Sequence, residues 1–199
     1  MSLSARKTAL LLLLCVTGAR AGDITVEIRD ANGAAVAEAV VYAEPVGSAP
    51  PPARANSRAT IDQVGKEFVP RVTIVQAGTE VFFPNSDNIR HSIYSFSPAK
   101  TFTTKLYSGR EAPPVLFDKT GMVVLGCNIH DKMVAWVLIV DTPWIAKGGA
   151  DGLAILRGLP AGEYRVSIAA PATALKPATQ TLRVEAAHAK LAVTLDAGS

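Results

Sequence analysis

Short runs in which apolar and polar residues alternate, broken every few positions by Gly, Pro, Asn or Asp, fill this chain from Asp23 to its end. A period of two sends successive side chains to opposite faces of an extended backbone, so these runs describe half-buried strands and not helices. "DITVEIRD" sets Ile24, Val26 and Ile28 against Thr25, Glu27 and Arg29, then closes in a turn at Asp30-Ala31-Asn32-Gly33. "AVVYAEP" reads as a second strand. The proline-rich stretch behind it, "EPVGSAPPPARANS", lacks the N–H groups that a continuous ladder needs, and residues 49–57 read as a linker. The fold class is therefore all-β.

Between Arg58 and Asp141 the texture changes. "ATIDQ", "RVTIVQAG", "EVFFPN", "HSIYSF", "VLFDKTG", "MVVLGC" and "MVAWVLIVD" are successive strand candidates, and most of the aromatic residues fall among them. After Asp141 the first texture returns, with turns at Asp151-Gly152 and Leu159-Pro160-Ala161-Gly162. Tyr164, Val166 and Ile168 then alternate with polar neighbours, and Leu191, Val193 and Leu195 share a face near the end. Taken together, "VEIRDANGAAVAEAVVYAEP" and "DGLAILRGLPAGEYRVSIAAP" resemble the carboxypeptidase regulatory-like module, an Ig/transthyretin-like β-sandwich. The resemblance implies a scaffold made of residues 22–48 and 142–199, with residues 58–141 inserted into one of its loops. Nothing in the flanks reads as catalytic.

The chain opens on "MSLSARKTALLLLLCVTGARA", which has the layout of an export signal: Arg6 and Lys7, an apolar run from Leu10 to Val16, and a small-residue cleavage site at Ala19-Arg20-Ala21. The apolar run falls short of the roughly 20 residues a membrane-spanning helix requires. Cys15 lacks the small residues expected ahead of a lipidated cysteine, so cleavage near Ala21, with residues 1–21 as the signal, is favoured over a lipid anchor or a retained one. The formal charge of +3 reflects 20 basic and 17 acidic residues, and Arg6, Lys7 and Arg20 supply the whole excess. Beyond residue 21 the chain is neutral and carries no basic run, which argues against nucleic acid as a partner and leaves no integral membrane span. Cys15 leaves with the signal, so Cys127 stands alone in an exported protein, where cysteines ordinarily pair.

That cysteine lies in "GCNIHDKM", residues 126–133, with His130 and Met133 following at three-residue intervals. A buried inert thiol and a zinc half-site are the plain readings of such a segment. "MVVLG" reads as a strand, "NIHDKM" as the loop after it, and "VAWVLIV" as the returning strand, so Cys127, His130 and Met133 can face one point at a sandwich rim. Upstream, "AGTEVFFPNSDNIRHS" places His91 at the start of another strand, after a loop containing Pro84, Asn85 and Asp87. The two segments "VTIVQAGTEVFFPNSDNIRHSIYSF" and "TGMVVLGCNIHDKMVAWVLIV" resemble the cupredoxins, Greek-key β-sandwiches that hold blue copper, and their short ligand loop is similar to that of amicyanin-type members. Split scaffold and insert together also resemble exported proteins described as methylamine-utilisation or plastocyanin-like.

The cupredoxin resemblance implies one type 1 copper centre held by His91, Cys127, His130 and Met133. Two imidazoles, a thiolate and a weak axial thioether suit that metal, whereas structural zinc takes four strong ligands and has little use for a thioether. It also implies a periplasmic carrier of single electrons, with the edge of His130 as electron port beside Ile129. Its partners would be transient redox proteins such as a dehydrogenase or cytochrome. A copper-delivery protein without an electron-transfer role is the alternative. An enzyme is not expected: beyond one such centre only His188 remains of three histidines, which excludes the histidine-rich clusters of multicopper oxidases.

The segments depart from the family pattern at Arg90, Ser92, Asn128, Asp131 and Lys132. Cupredoxins often carry Pro before the first histidine and Asn after it, and Ser or Thr after the cysteine. Ser92 and Asn128 therefore look exchanged, and a hydrogen bond between them would still tie the two ligand loops. Asn85 and Asp87 are expected to shape the loop before His91 through bonds to backbone, with direct ligation by Asp87 a minor alternative. Arg90 and His188 are expected at the surface, Phe82 and Trp136 in a core, and Trp144 between the two units.

Overall fold

The computed structural model describes residues 21–109, 113–185 and 188–198. The expected export signal, Cys15 included, lies outside the described residues apart from Ala21.

All the regular structure among the described residues is β. The first flank supplies β1 (Ala21–Asp30) and β2 (Val40–Pro45). The central block supplies β3 (Arg58–Thr60), β4 (Asp62–Val64), β5 (Glu67–Val69), β6 (Val72–Gln76), β7 (Thr79–Phe82) and β8 (Ile93–Ser97). It continues with β9 (Lys100–Thr103), β10 (Val115–Phe117), β11 (Gly121–Cys127) and β12 (His130–Val140). The second flank adds β13 (Ile145–Lys147), β14 (Leu153–Pro160), β15 (Gly162–Ala169), β16 (Ala178–Val184) and β17 (Ala189–Leu195).

These strands pair in two separate groups. A five-stranded sheet ordered β6-β12-β11-β8-β9 and a three-stranded sheet ordered β10-β7-β3 come from the central block, with β4 and β5 as a hairpin beside them. The flanks form a sheet ordered β14-β1-β17 and another ordered β13-β2-β15-β16, so each contains strands from both ends of the chain. Alternation decides what each strand buries. In β1, Ile24, Val26 and Ile28 are wholly buried; they meet Val166 and Ile168 of β15 and Leu195 of β17 in one apolar cluster. A second cluster gathers Val81, Phe83, Ile93, Phe117, Leu125 and Val137, and reaches Cys127 and Met133 at its edge. Burial of such side chains, at about 25 cal/mol per Å² of apolar surface, is what holds strands this short together.

The register differs from expectation at three aromatic residues. Phe83, not Phe82, enters the core, where its ring lies 6.0 Å from that of Phe102 and 6.4 Å from that of Phe117. Phe82 points outward beneath the Arg58 guanidinium, 5.3 Å from its ring centre, and Trp136 points outward beneath Arg71 at 4.9 Å. In "EVFFPN" two adjacent phenylalanines compete for the inward position, and Phe83 takes it one residue past the end of β7. Trp144 belongs to the flank core, edge-on to Tyr164 at 5.4 Å, rather than filling a gap between units.

Candidate metal centre

Cys127 ends β11 and His130 begins β12, with only Asn128 and Ile129 turning between them. The expected loop from Asn128 to Met133 is therefore shorter than the sequence implied: His130 to Met133 already belong to the returning strand. A register shift between Gly126 and Cys127 brings Cys127 opposite His130 across the hairpin. Gly126 makes room there for the Tyr94 ring. A side chain would place its Cβ 2.5 Å from Cζ of Tyr94, whose ring lies against the glycine.

His91 approaches from β8, the other neighbour of β11. Ile93 pairs with Cys127, and His91 sits two residues earlier, in a bridge with Tyr107 whose two N–H···O bonds each measure 2.9 Å. The ladder thus delivers a residue 36 positions away to the cysteine. Cys127 Sγ stands 3.7 Å from His91 Nδ1 and 3.8 Å from His130 Nδ1, and the two rings are 5.0 Å apart between centres. All three donor atoms lie within 4.8 Å of one another. Met133 is buried in the same apolar cluster as Cys127, on the strand that carries His130. His91 and Cys127 are buried too, whereas His130 is half-buried and Ile129 beside it is 49% exposed.

Two side chains tie the ligand-bearing segments together. Asn128 Nδ2 donates to Ser92 Oγ at 2.8 Å and the Asn128 N–H donates to the Ser92 carbonyl at 3.1 Å, as the exchanged residue types had suggested. Ser92 Oγ in turn donates to the Thr104 carbonyl at 2.8 Å. Asn85 holds the preceding loop, donating from Nδ2 to the carbonyls of Ile89 and Tyr107 at 2.9 and 3.0 Å and accepting the Asp87 N–H at 3.0 Å.

Asp87 lies on the far side of the His91 ring. Its Oδ2 is 2.8 Å from His91 Nε2, the nitrogen that points away from Cys127. Partial burial opposes the carboxylate charge, but N–H donors from Lys66 and Gly65 and the His91 ring outweigh it and hold this carboxyl below its ordinary range.

Beneath the loop lies a pair of residues that nothing in the sequence marked. Buried Gln63 donates from Nε2 to Pro84 O at 3.0 Å and to Tyr107 Oη at 2.6 Å, and the Tyr107 hydroxyl donates to Phe83 O at 2.7 Å. Burial pushes the Tyr107 phenol up to about 12; the Gln63 bond works against this, while the charges of Asp62 and Cys127 add to it. These contacts span more than twenty positions, and no local pattern announces them. Arg90 is exposed, and His188 is an exposed flank residue 2.7 Å from Thr25 Oγ1 that does not belong to the cluster.

The donor set fits a metal ion. Two atoms bound about 2.0–2.3 Å from one ion stand roughly 3.5–4 Å apart when the angle between the bonds is wide, and both sulfur–nitrogen separations fall there. Among the described residues this is the one grouping of three His, Cys, Asp or Glu donors close enough to share an ion.

No protein-family model matches the chain, and no curated protein matches it. Solved structures do. A copper-containing nitrite reductase from Thermus scotoductus SA-01 is 25% identical over 48% of this chain, with a TM-score of 0.40; the match spans only 25% of the reductase. A purple cupredoxin from Nitrosopumilus maritimus is 20% identical, over 42% of this chain and 99% of its own, with a TM-score of 0.36. Pseudoazurin from Methylobacterium extorquens AM1 is 20% identical over 43% of this chain and 77% of its own, with a TM-score of 0.37.

Proposed function

We propose that this chain is an exported type 1 copper protein that carries single electrons between redox partners in the periplasm. His91, Cys127, His130 and Met133 are its ligands in this reading. One observation carries it: a buried thiol and two imidazoles from two different strand pairs present Sγ and both Nδ1 atoms to one point, all within 4.8 Å. A structural zinc site would need a fourth strong ligand, and the nearest sulfur on β12 is a thioether, a soft ligand suited to copper(I). Bound copper would supply a one-electron Cu(I)/Cu(II) couple.

The protein's part is to hold the donors and admit electrons at one edge. His91 and Cys127 are sealed in the core, and half-buried His130 is the donor nearest solvent. Exposed Ile129 beside it offers an apolar contact for a transient partner, of the kind that buries less than about 1,200 Å². No helix among the described residues is long and apolar enough to cross a membrane. The flanks, residues 22–48 and 142–199, are read as one discontinuous carboxypeptidase regulatory-like domain with residues 58–141 inserted, since the two groups of sheets have separate cores.

Copper delivery is the rival reading, favoured by the half-exposed ligand His130. Voltammetry of the copper-loaded protein with a strong chelator present separates the two. A shuttle gives a reversible one-electron wave that persists for hours. Rapid loss of the wave as copper passes to the chelator would mark a delivery protein instead.

A further inference from the structure

The carboxylate of Asp87 is spent on three partners at once. It lies 2.8 Å from His91 Nε2, and it accepts the N–H of Gly65 at 2.6 Å and that of Lys66 at 2.9 Å. Gly65 and Lys66 are the two central residues of the β4–β5 turn, and both have left-handed backbone, with φ of 64° and 63°. Two such residues in succession make the tight hairpin turn whose N–H groups point the same way, here onto one carboxylate. On its other side Asp87 is fixed by Asn85, which accepts its N–H. The side chain is only 12% exposed, and the ring it touches is wholly buried.

An ionised carboxylate can only accept. In a neutral imidazole the 2.8 Å contact therefore requires the proton of His91 on Nε2, which leaves Nδ1, the nitrogen 3.7 Å from Cys127 Sγ, bare. We propose that Asp87 is the positioning residue of the centre. Anchored by the β4–β5 turn, it sets the tautomer and ring angle of His91 before any metal arrives. This rests on reading His91 as a ligand. Partners of this kind, a carboxylate behind a ligating imidazole, orient the ring and raise its basicity, and their loss costs about 10–100-fold in metal affinity. The consequence is an asymmetric site. His91 is clamped through its outer nitrogen, while half-buried His130 opens β12 just after the two-residue turn and has no carboxylate behind its ring among the described residues.

The test has two arms. In the metal-free protein, long-range proton–nitrogen correlation spectra of the imidazoles report which nitrogen of His91 is protonated. The expected result is a single Nε2–H form whose proton exchanges slowly; Asp87→Ala speeds that exchange at least tenfold. Asp87→Asn keeps an oxygen for the Gly65 N–H but places an NH2 group where Oδ2 accepts from Lys66 and meets His91, and it removes the charge. Copper(I) affinity, read by competition with a chromophoric chelator, should fall about 10–100-fold in this variant. A residue that merely shaped the loop would leave it unchanged. Nδ1-protonated His91 in the parent protein, or equal copper affinity in parent and Asp87→Asn, overturns the proposal. Absence of copper binding in both proteins overturns the reading of the site itself, and so is told apart from a loss confined to the variant.

Discussion

Tyr107 shows how far a single phenol can be drawn into the support of a site it does not join. Its hydroxyl is held between Gln63 and the Phe83 carbonyl, and its backbone pairs with His91 on both sides of the bridge. With its pKa raised from the ordinary 10 to about 12, the folded protein holds the phenol neutral. The stability that follows is complete below about pH 10 and is lost as pH climbs toward 12. In an alkaline titration followed at the phenolate absorbance, Tyr107 should be among the last of the four tyrosines to ionise, and Tyr107→Phe should remove that late step. Ionisation of all four together near pH 10 would contradict the buried network. At this scale legibility followed sequence distance. Cys127, His130 and Met133 stand out because a hairpin keeps near neighbours together, whereas His91 was reached through resemblance to a family. Asp87 was expected to shape its own loop through backbone bonds, but its side chain reaches the β4–β5 turn and the His91 ring instead, partners that its own segment does not encode.

Strands explain why some side chains count more than their size suggests. In β12 alternation sends Met133, Ala135, Val137 and Ile139 inward, and Trp136 to the outer face under Arg71. The expectation of a core tryptophan failed because a period of two fixes which residues share a face but not which face is buried. The adjacent phenylalanines of "EVFFPN" raised the same ambiguity, and only the partner rings of Phe102 and Phe117 settle it for Phe83. Phe83→Ala should therefore cost about 3–5 kcal/mol, the usual penalty for emptying a buried aromatic site. Trp136→Ala should cost clearly less, since it gives up a half-exposed face and a cation–π contact of about 0.5–1 kcal/mol. Denaturant midpoints of the two variants check the order, and equal losses would mean the register assigned to β7 and β12 is wrong. Shortening of the ligand loop to Asn128 and Ile129 has the same local origin: a strand can begin at a polar residue such as His130 when its partner across the hairpin is Cys127.

Over the whole molecule, the two textures visible along the sequence correspond to two groups of sheets with separate apolar clusters. The expected division rests on the proline-rich and turn-rich segments that punctuate the sequence and on the return of the first strand texture after Asp141. Which edges meet was not legible. Lys147 of β13 pairs with Glu38 of the first flank and donates to the Val72 carbonyl of β6 at 3.3 Å, so that one side chain joins a flank strand to the central sheet through residues with no shared pattern. A ligand that binds one unit stabilises that unit by mass action. Calorimetry should resolve two heat transitions, and copper should raise only the one that Phe83→Ala lowers. A single transition that copper shifts as a whole would show the two cores melting as one.

The proposed centre requires a thiolate and two ring nitrogens to converge on copper. Its most direct test is the visible spectrum of the copper(II)-loaded protein beside that of Cys127→Ser. An intense thiolate-to-copper band in the parent, absent from the variant and weakened or shifted in His91→Ala, is the expected result. A colourless protein that holds zinc tightly, or a band that survives Cys127→Ser, would contradict it.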